Sequence, residues 1–354
     1  MSNSIGRLFR VTTWGESHGQ ALGAVIDGCP AGVQVFPEDI ERELKRDIPD
    51  IELGTKRHEP NKFEILSGWS KNRTLGTPIS IIIHNLDYKM SDYKQFQDII
   101  RPGHADYTYI EKYGHNNLTG GGRSSGRECI SRLACGAVAK KVLLYFDINI
   151  ELRVIEMAGI PINSKEEYQK AKESALKEAR DGESTGGIVQ LRVKNLPTGA
   201  GSPIFGKLDA TLAAALMSIG GVKGIEIGAG FSSAKMKGSE SNDEFYLDQG
   251  RIRCRTNNAG GLLGGISTGE DLVITLAVKP TPAILKLQKT VNIKEAKETI
   301  IECKGRFDIN FTPRVAPIAE AMAAIILVDE LICGGYIHPS RISDSILLKN
   351  IKKG

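Results

Sequence analysis

The chain has 354 residues, 41% of them hydrophobic and 25% charged, which excludes wholesale disorder and leaves ample apolar material for a core. Lys plus Arg (46) against Asp plus Glu (42) gives a net charge of +4. That balance argues against a dedicated nucleic-acid binder but leaves room for a locally basic pocket that takes an anionic small molecule.

No apolar run approaches the roughly 20 residues a membrane helix needs, and the opening MSNSIGRLFRVTTWGESHG lacks the apolar stretch of a signal peptide. The length suits roughly two domains or one large one. The six cysteines are scattered and form no CxxC pair, so free thiols in a reducing cytoplasm are the preferred reading. Aromatic residues are sparse at 6%, which disfavours a base-stacking surface. Glycine, at 39 residues, is the outlier, and its clustering marks backbone that turns tightly or approaches a ligand closely.

In chain order, Ala21 to Asp27 reads as a strand and Pro37 to Arg46 as a helix with proline at its start. Lys45 to Pro60 is charged and aperiodic, and is expected to be an exposed loop. Phe63 to Leu66 and Ile79 to His84 read as strands, and Asn85 to Arg101 as a long polar loop. Gly120-Gly121-Gly122-Arg123-Ser124-Ser125-Gly126-Arg127-Glu128 then leads into a helical pattern at Ile130, Leu133, Ala134, Ala137 and Val138. Ser125 and Glu128 have the spacing of a capping box, and a glycine loop feeding a helix start suits a phosphate. Val189, Leu191 and Val193 mark a half-buried strand, and Leu208 to Ile219 a helix ending at Gly220-Gly221. Asn257 to Gly269 is a second glycine loop, Asp271 to Val278 a strand, and Ala316 to Ile332 an apolar helix closed by Gly334-Gly335. The stretch from Gly76 is faintly echoed by that from Gly269, each a strand after a glycine turn, consistent with an internal pseudo-repeat. Strands that come in runs favour an α+β fold with antiparallel sheets.

Both glycine loops fail the dinucleotide and Walker A patterns. His18, in Gly15-Glu16-Ser17-His18-Gly19, fits equally a catalytic group and a loop histidine bonded to its neighbours. His104 lies between Arg101 and Asp106, which could set its charge state, although a turn-stabilising role also fits. Asp308 and Arg314 read first as an ion pair. No cluster shows metal-ligand spacing, so no metal is expected. Arg123, Arg127, Arg306 and Arg314 all sit near helix starts, and their planar forks suit a multiply anionic ligand. The residues alone lead no further than an anion-binding α+β enzyme.

Taken together, Gly15 to Gly19, Arg101-Pro102-Gly103-His104-Ala105-Asp106, Gly120 to Glu128, Gly264-Gly265-Ile266-Ser267, Lys279-Pro280-Thr281-Pro282 and Gly305 to Pro317 resemble chorismate synthase, in order from about Gly6 to Ile332. The resemblance implies a single domain over 1–354, with a helical layer sandwiched between two antiparallel sheets, and usually a cytoplasmic homotetramer. It implies a lyase that eliminates phosphate from 5-enolpyruvylshikimate 3-phosphate with reduced FMN. The length leaves no room for large insertions, so the chain resembles the form that takes reduced flavin from an outside reductase or flavin pool.

By the same resemblance, His18 supplies a proton toward the departing phosphate. His104 protonates or polarises the flavin, and Asp308 relays a proton. Arg123, Ser124, Ser125, Gly220, Gly221, Gly264, Lys279, Pro280, Thr281, Pro282, Ala283 and Arg306 are the implied flavin contacts. Arg46, Arg57, Arg127 and Arg314 are the substrate-side candidates. The chain departs from the family where Lys45-Arg46-Asp47-Ile48 and Ile51-Glu52-Leu53 replace a usual run of arginines and a further arginine, which bears on the anion contacts of this loop, any NADP contact included. Phe307, Ile309 and Ala283 stand where histidine, proline and serine are common.

Overall fold

Alternation of apolar and polar residues builds two sheets whose inner faces are dry and whose outer faces are half wet. The computed structural model describes residues 3–47, 52–55, 59–87, 96, 98–114, 121–303, 305 and 307–342. The first sheet holds β1 (Ser4–Ile5), β2 (Arg10–Gly15), β3 (Ala21–Asp27), β4 (Phe63–Ile65) and β5 (Ile79–His84), in the order β1-β2-β3-β5-β4. The second holds β6 (Asn149–Met157), β7 (Ile160–Pro161), β8 (Gly187–Lys194), β9 (Val222–Ile227) and β10 (Leu272–Val278), in the order β9-β10-β8-β6-β7. Every pairing in both is antiparallel. Ile79, Ile81 and Ile83 of β5, and Leu272, Ile274 and Leu276 of β10, alternate inward and are buried. These are the two strands of the internal echo, and each lies one strand in from a sheet edge.

Helices α1 (Pro37–Lys45), α2 (Asp106–Tyr113), α3 (Cys129–Leu144), α4 (Lys165–Arg180), α5 (Leu208–Met217) and α6 (Thr312–Cys333) complete the frame. Helix α3 packs on β2, β3 and β5, whereas α6 packs on β6 and β8 and α5 on β9. With α3 and α6 also packed on each other, helices fill the space between the sheets, and one hydrophobic core runs through all the layers. This is the sandwich that the resemblance implied.

Helix α6 is buried on every side and mostly apolar, the mark of a helix with no solvent face. Its buried charges are each paired, because an isolated ion cannot be held out of water. Asp329 accepts from the backbone N–H groups of Arg7 (2.9 Å), Leu8 (2.7 Å) and Phe9 (2.9 Å), and Glu330 pairs with the Arg7 guanidinium at 2.7 Å. Glu320 is met by Arg46 and by Lys140.

Four sequence expectations need correction. The stretch from Lys45 to Pro60 is not simply exposed, since Asp47, Leu53 and Glu59 are buried. The loop from Asn85 to Arg101 likewise buries Asn85, Phe96 and Arg101. The capping box does not form. Ser125 accepts from the Arg127 backbone N–H, but the buried Glu128 carboxylate is neutralised by Arg123 and Arg132 and accepts from the Thr13 hydroxyl. Helix α6 starts at Thr312 rather than Ala316, with Pro313 in its first turn and Pro317 absorbed inside it.

The α3–α6 contact rests on a missing side chain. A Cβ on Gly136 would lie 2.3 Å from the Ala321 Cβ and 2.6 Å from its Cα. Alanine has the higher helix propensity by about 1 kcal/mol, but overpacking costs about 1–3 kcal/mol, and here the clash is partly with backbone. Gly136→Ala is therefore expected to lower the urea midpoint. A rise would show that the two helices can move apart freely.

Candidate active site

A cavity of about 570 Å³ opens between the first turns of α3 and α6, within the range of small-molecule sites. His18, His104 and Asp308 all line it, as do Arg123, Ser124, Ser125, Gly220, Gly221 and the stretch Lys279-Pro280-Thr281-Pro282-Ala283. Arg127 and Arg314 line it too. Residues scattered over almost the whole chain are thus brought to one wall.

Each is held for a local reason. His18 sits in the turn between β2 and β3, stapled by the Asn85 amide, which donates to the carbonyls of Glu16 (3.0 Å) and Gly19 (2.9 Å). Its Nδ1 is 2.9 Å from the hydroxyl of the buried Ser17. His104 rides on a turn clamped by Arg101, whose Nε and Nη2 donate to the two carboxylate oxygens of Asp106 at 2.8 and 2.7 Å. Arg123 donates to Thr13 Oγ1 at 2.6 Å and lies 3.3 Å from Glu128, tying the glycine loop to β2. Gly221 has φ of +91°, and a Cβ there would press on Phe311 at 3.3 Å, so backbone alone faces the cavity.

The electrostatics set His104 and Asp308 apart. His104 is pushed down to about 4 from an ordinary 6.5 by burial and by the positive charges of Arg101 and Lys279. It is neutral near pH 7. Its Nδ1 lies 3.0 Å from the Pro102 carbonyl, which can only accept, so Nδ1 carries the hydrogen and Nε2 keeps a lone pair. Asp308 is raised by burial, with the charge of Asp47 adding to the rise, against the opposing pull of Arg314 and of the Thr55 N–H at 2.9 Å. Cys129 also lines the cavity, but burial pushes its thiol up to about 12, which makes it inert as a nucleophile.

Among the described residues six cations line the cavity (Arg101, Arg123, Arg127, Arg132, Lys279 and Arg314) against four carboxylates (Asp47, Glu59, Glu128 and Asp308). Phe307, Phe311 and the prolines supply apolar wall. The Thr281 hydroxyl oxygen is buried with no hydrogen-bond partner among the described residues. A wall with an unsatisfied hydroxyl at Thr281, surplus positive charge among the described residues and an apolar side fits a flavin phosphate and ring.

Two candidates are not brought here. Arg46 turns to Glu43, at 2.7 Å, and to Glu320, because the buried acids of α1 and α6 need a cation. Gly264 lies in the hairpin turn between Leu262–Leu263 and Ile266–Ser267 and does not line the cavity. Arg57 and Arg306 lie outside the described residues. Asp47 stood out in the sequence only as a departure from the family's usual arginines, and sequence reasoning missed Asn61, Glu59, Tyr109 and Arg132 as lining residues. Only Arg132 carried a local signal, one helical turn after Glu128.

The sequence profile of the family described as chorismate synthase matches residues 9–332. Chorismate synthase of Methanococcoides burtonii is 48% identical over 96% of this chain and 98% of its own length. That of Archaeoglobus fulgidus is 47% identical over 96% and 99%. A solved structure, "Crystal Structure of Chorismate Synthase", superposes with a TM-score of 0.77 at 28% identity, covering 99% of this chain and 98% of that one.

An NMR titration of the imidazole resonances is expected to find His104 neutral down to about pH 4. Between about pH 4 and 6.5 the unfolded chain binds this proton first, so His104 makes stability rise with pH across that window. A midpoint near 6.5 would contradict the burial and charge placed around the ring.

Proposed function

Because the chain belongs to the chorismate synthase family, whose enzymes form chorismate in the shikimate pathway, we propose that it eliminates phosphate from 5-enolpyruvylshikimate 3-phosphate with reduced FMN bound beside the substrate. The observation that carries this reading is the gathering of His18, His104, Asp308 and a surplus of guanidinium groups in one cavity.

The reaction breaks one C–O and one C–H bond and forms one C=C bond. Phosphate departs with the C–O electron pair, the ring loses a proton, and no net electrons change hands. The substrate carries two carboxylates and a phosphate, so it needs several guanidinium forks. Arg127 and Arg314 stand on the substrate side, whereas Arg123, Ser124, Ser125, Gly220, Gly221 and Lys279 to Ala283 would hold the flavin, with Phe307 and Phe311 as apolar wall. When bound, the reduced flavin supplies electron density to the breaking C–O bond and recovers it afterward.

The proton work falls to three side chains. His18 gives a proton to the departing phosphate, with Ser17 fixing its ring. His104 is neutral in the free protein and presents a lone pair at Nε2. An anion bound beside it raises its proton affinity, so it takes up a proton on ligand binding and then donates from Nε2. Asp308, with its raised proton affinity, accepts and passes on the proton lost from the ring side. The paired arginines exclude bulk water and are already oriented when the ligands arrive.

The largely exposed Phe205, Phe231, Leu247 and Ile252 fit subunit association, in line with the family's homotetramer. No described helix is long and apolar enough to cross a membrane. The six free cysteines suit a reducing cytoplasm, where an external reductase or flavin pool would supply reduced FMN.

Anaerobic protein with reduced FMN is expected to release phosphate and chorismate in equal amounts while the flavin stays reduced over many turnovers. Consumption of one NAD(P)H per product would instead indicate an oxidoreductase. His18→Ala and Asp308→Asn are each expected to lower kcat about 10²–10⁴-fold with circular dichroism unchanged. Near-normal rates in both would remove these residues from the mechanism.

A further inference from the structure

The corner of the cavity formed by Arg314 and Arg127 already contains a carboxylate. Asp47 is 5% exposed and lines the cavity. Arg314 donates to it with both atoms of one edge, Nε to Oδ1 at 2.9 Å and Nη2 to Oδ2 at 3.0 Å. Arg127 Nη1 lies 3.7 Å from the same Oδ2. This is the two-point geometry by which a guanidinium grips a carboxylate or phosphate ligand.

The remaining side of Arg314 is also engaged. Its Nη1 is 3.5 Å from Asp308, and its plane stands 5.6 Å from the Phe311 ring centroid. Among the described residues two guanidiniums and two carboxylates meet in this corner, and their charges cancel when both acids are ionised. Elsewhere on the wall Lys279 differs, since its ammonium donates to the Gly103 carbonyl at 3.1 Å and pairs with no carboxylate among the described residues. An oxyanion arriving at Arg314 finds the better edge of the fork taken by the chain itself.

We propose that Asp47 is a tethered competitor, a carboxylate of the chain that occupies the oxyanion seat on Arg314 and Arg127 and sets how tightly an anionic group is held there. Binding requires the ligand to share that edge or to displace Asp47. The inference rests on the substrate-side placing of Arg127 and Arg314 and specifies what regulates that side of the site. Asp47 acts through Arg314, so its role is to position and screen the guanidinium.

The test is an isothermal titration of the full chain with inorganic phosphate, and separately with 5-enolpyruvylshikimate 3-phosphate, for the parent, Asp47→Asn, and Asp47→Asn combined with Arg314→Gln. Asp47→Asn is expected to bind phosphate at least about tenfold more tightly, the scale of one charge-assisted contact. The gain should vanish in the double variant. A residue that only braces Arg314 would lower stability without tightening the anion. Unchanged or weaker phosphate binding in Asp47→Asn, or a gain that persists without Arg314, overturns the proposal. Asp47→Ser, which leaves room for a buffer anion, takes its place should Asp47→Asn not fold. There the readout is the rise in melting temperature with added phosphate, expected to exceed that of the parent; an equal or smaller rise overturns the proposal. Phosphate binding needs no turnover, so a parent protein without lyase activity would sink the proposed reaction and still leave this test decisive.

Discussion

A guanidinium leaves water only in company, and this chain draws several of them onto one cavity wall. Arg101, Arg127 and Arg314 are almost wholly buried there. Arg101 is matched by Asp106, Arg314 by Asp47 and Asp308, and Arg123 and Arg132 by the single carboxylate of Glu128. Arg127 is held by the side-chain oxygens of Asn61, at 2.5 Å, and Asn85, at 3.3 Å. Breaking one such buried pair costs about 3–5 kcal/mol, because it strands the other charge, so every member constrains its partner's rotamer. The site is consequently built before any ligand arrives, and ligand binding has less side-chain freedom left to freeze.

The fold serves this arrangement by laying two helix starts side by side. Gly126 at the approach to α3 lies against Phe311 and Arg314 at the start of α6, and further along Gly136 meets Ala321. The helices therefore run in the same direction, and the turn leading into α3 and the first turn of α6 present Arg127, Glu128 and Arg314 to one space. The two sheets close the outer faces and fix the loops that bring His18 from the first sheet and Lys279 to Ala283 from the end of β10 in the second. Small residues at the helix contact thus bear on chemistry as well as on packing, since any widening there would move Arg314 away from Asp47.

What could be read in the sequence was what is local in the chain. The turns carrying His18 and His104 announce themselves through glycine, proline and short polar neighbours, and the Arg101–Asp106 clamp spans only five positions. The alternation in β5, β8 and β10 follows from one covered face each. What could not be read was pairing at a distance. Asp47 and Arg314 are 267 positions apart, and nothing in the sequence around Asp47 signals that its side chain is buried. The misread capping box has the same origin, because Glu128 obeys a local pattern yet is claimed by Arg123, Arg132 and Thr13. Arg46, a basic residue beside the site in sequence, is drawn off by Glu320 on a helix that sequence alone does not place beside it.

The most direct test is an absorbance titration of FMN into the protein, with and without 5-enolpyruvylshikimate 3-phosphate, repeated for Arg123→Ala. If paired guanidiniums pre-form a joint seat for a flavin and a polyanion, one FMN per chain binds with a shifted visible spectrum. Binding then tightens when the substrate is present and weakens sharply without Arg123. An unshifted spectrum, or the same affinity in Arg123→Ala with substrate making no difference, would contradict it.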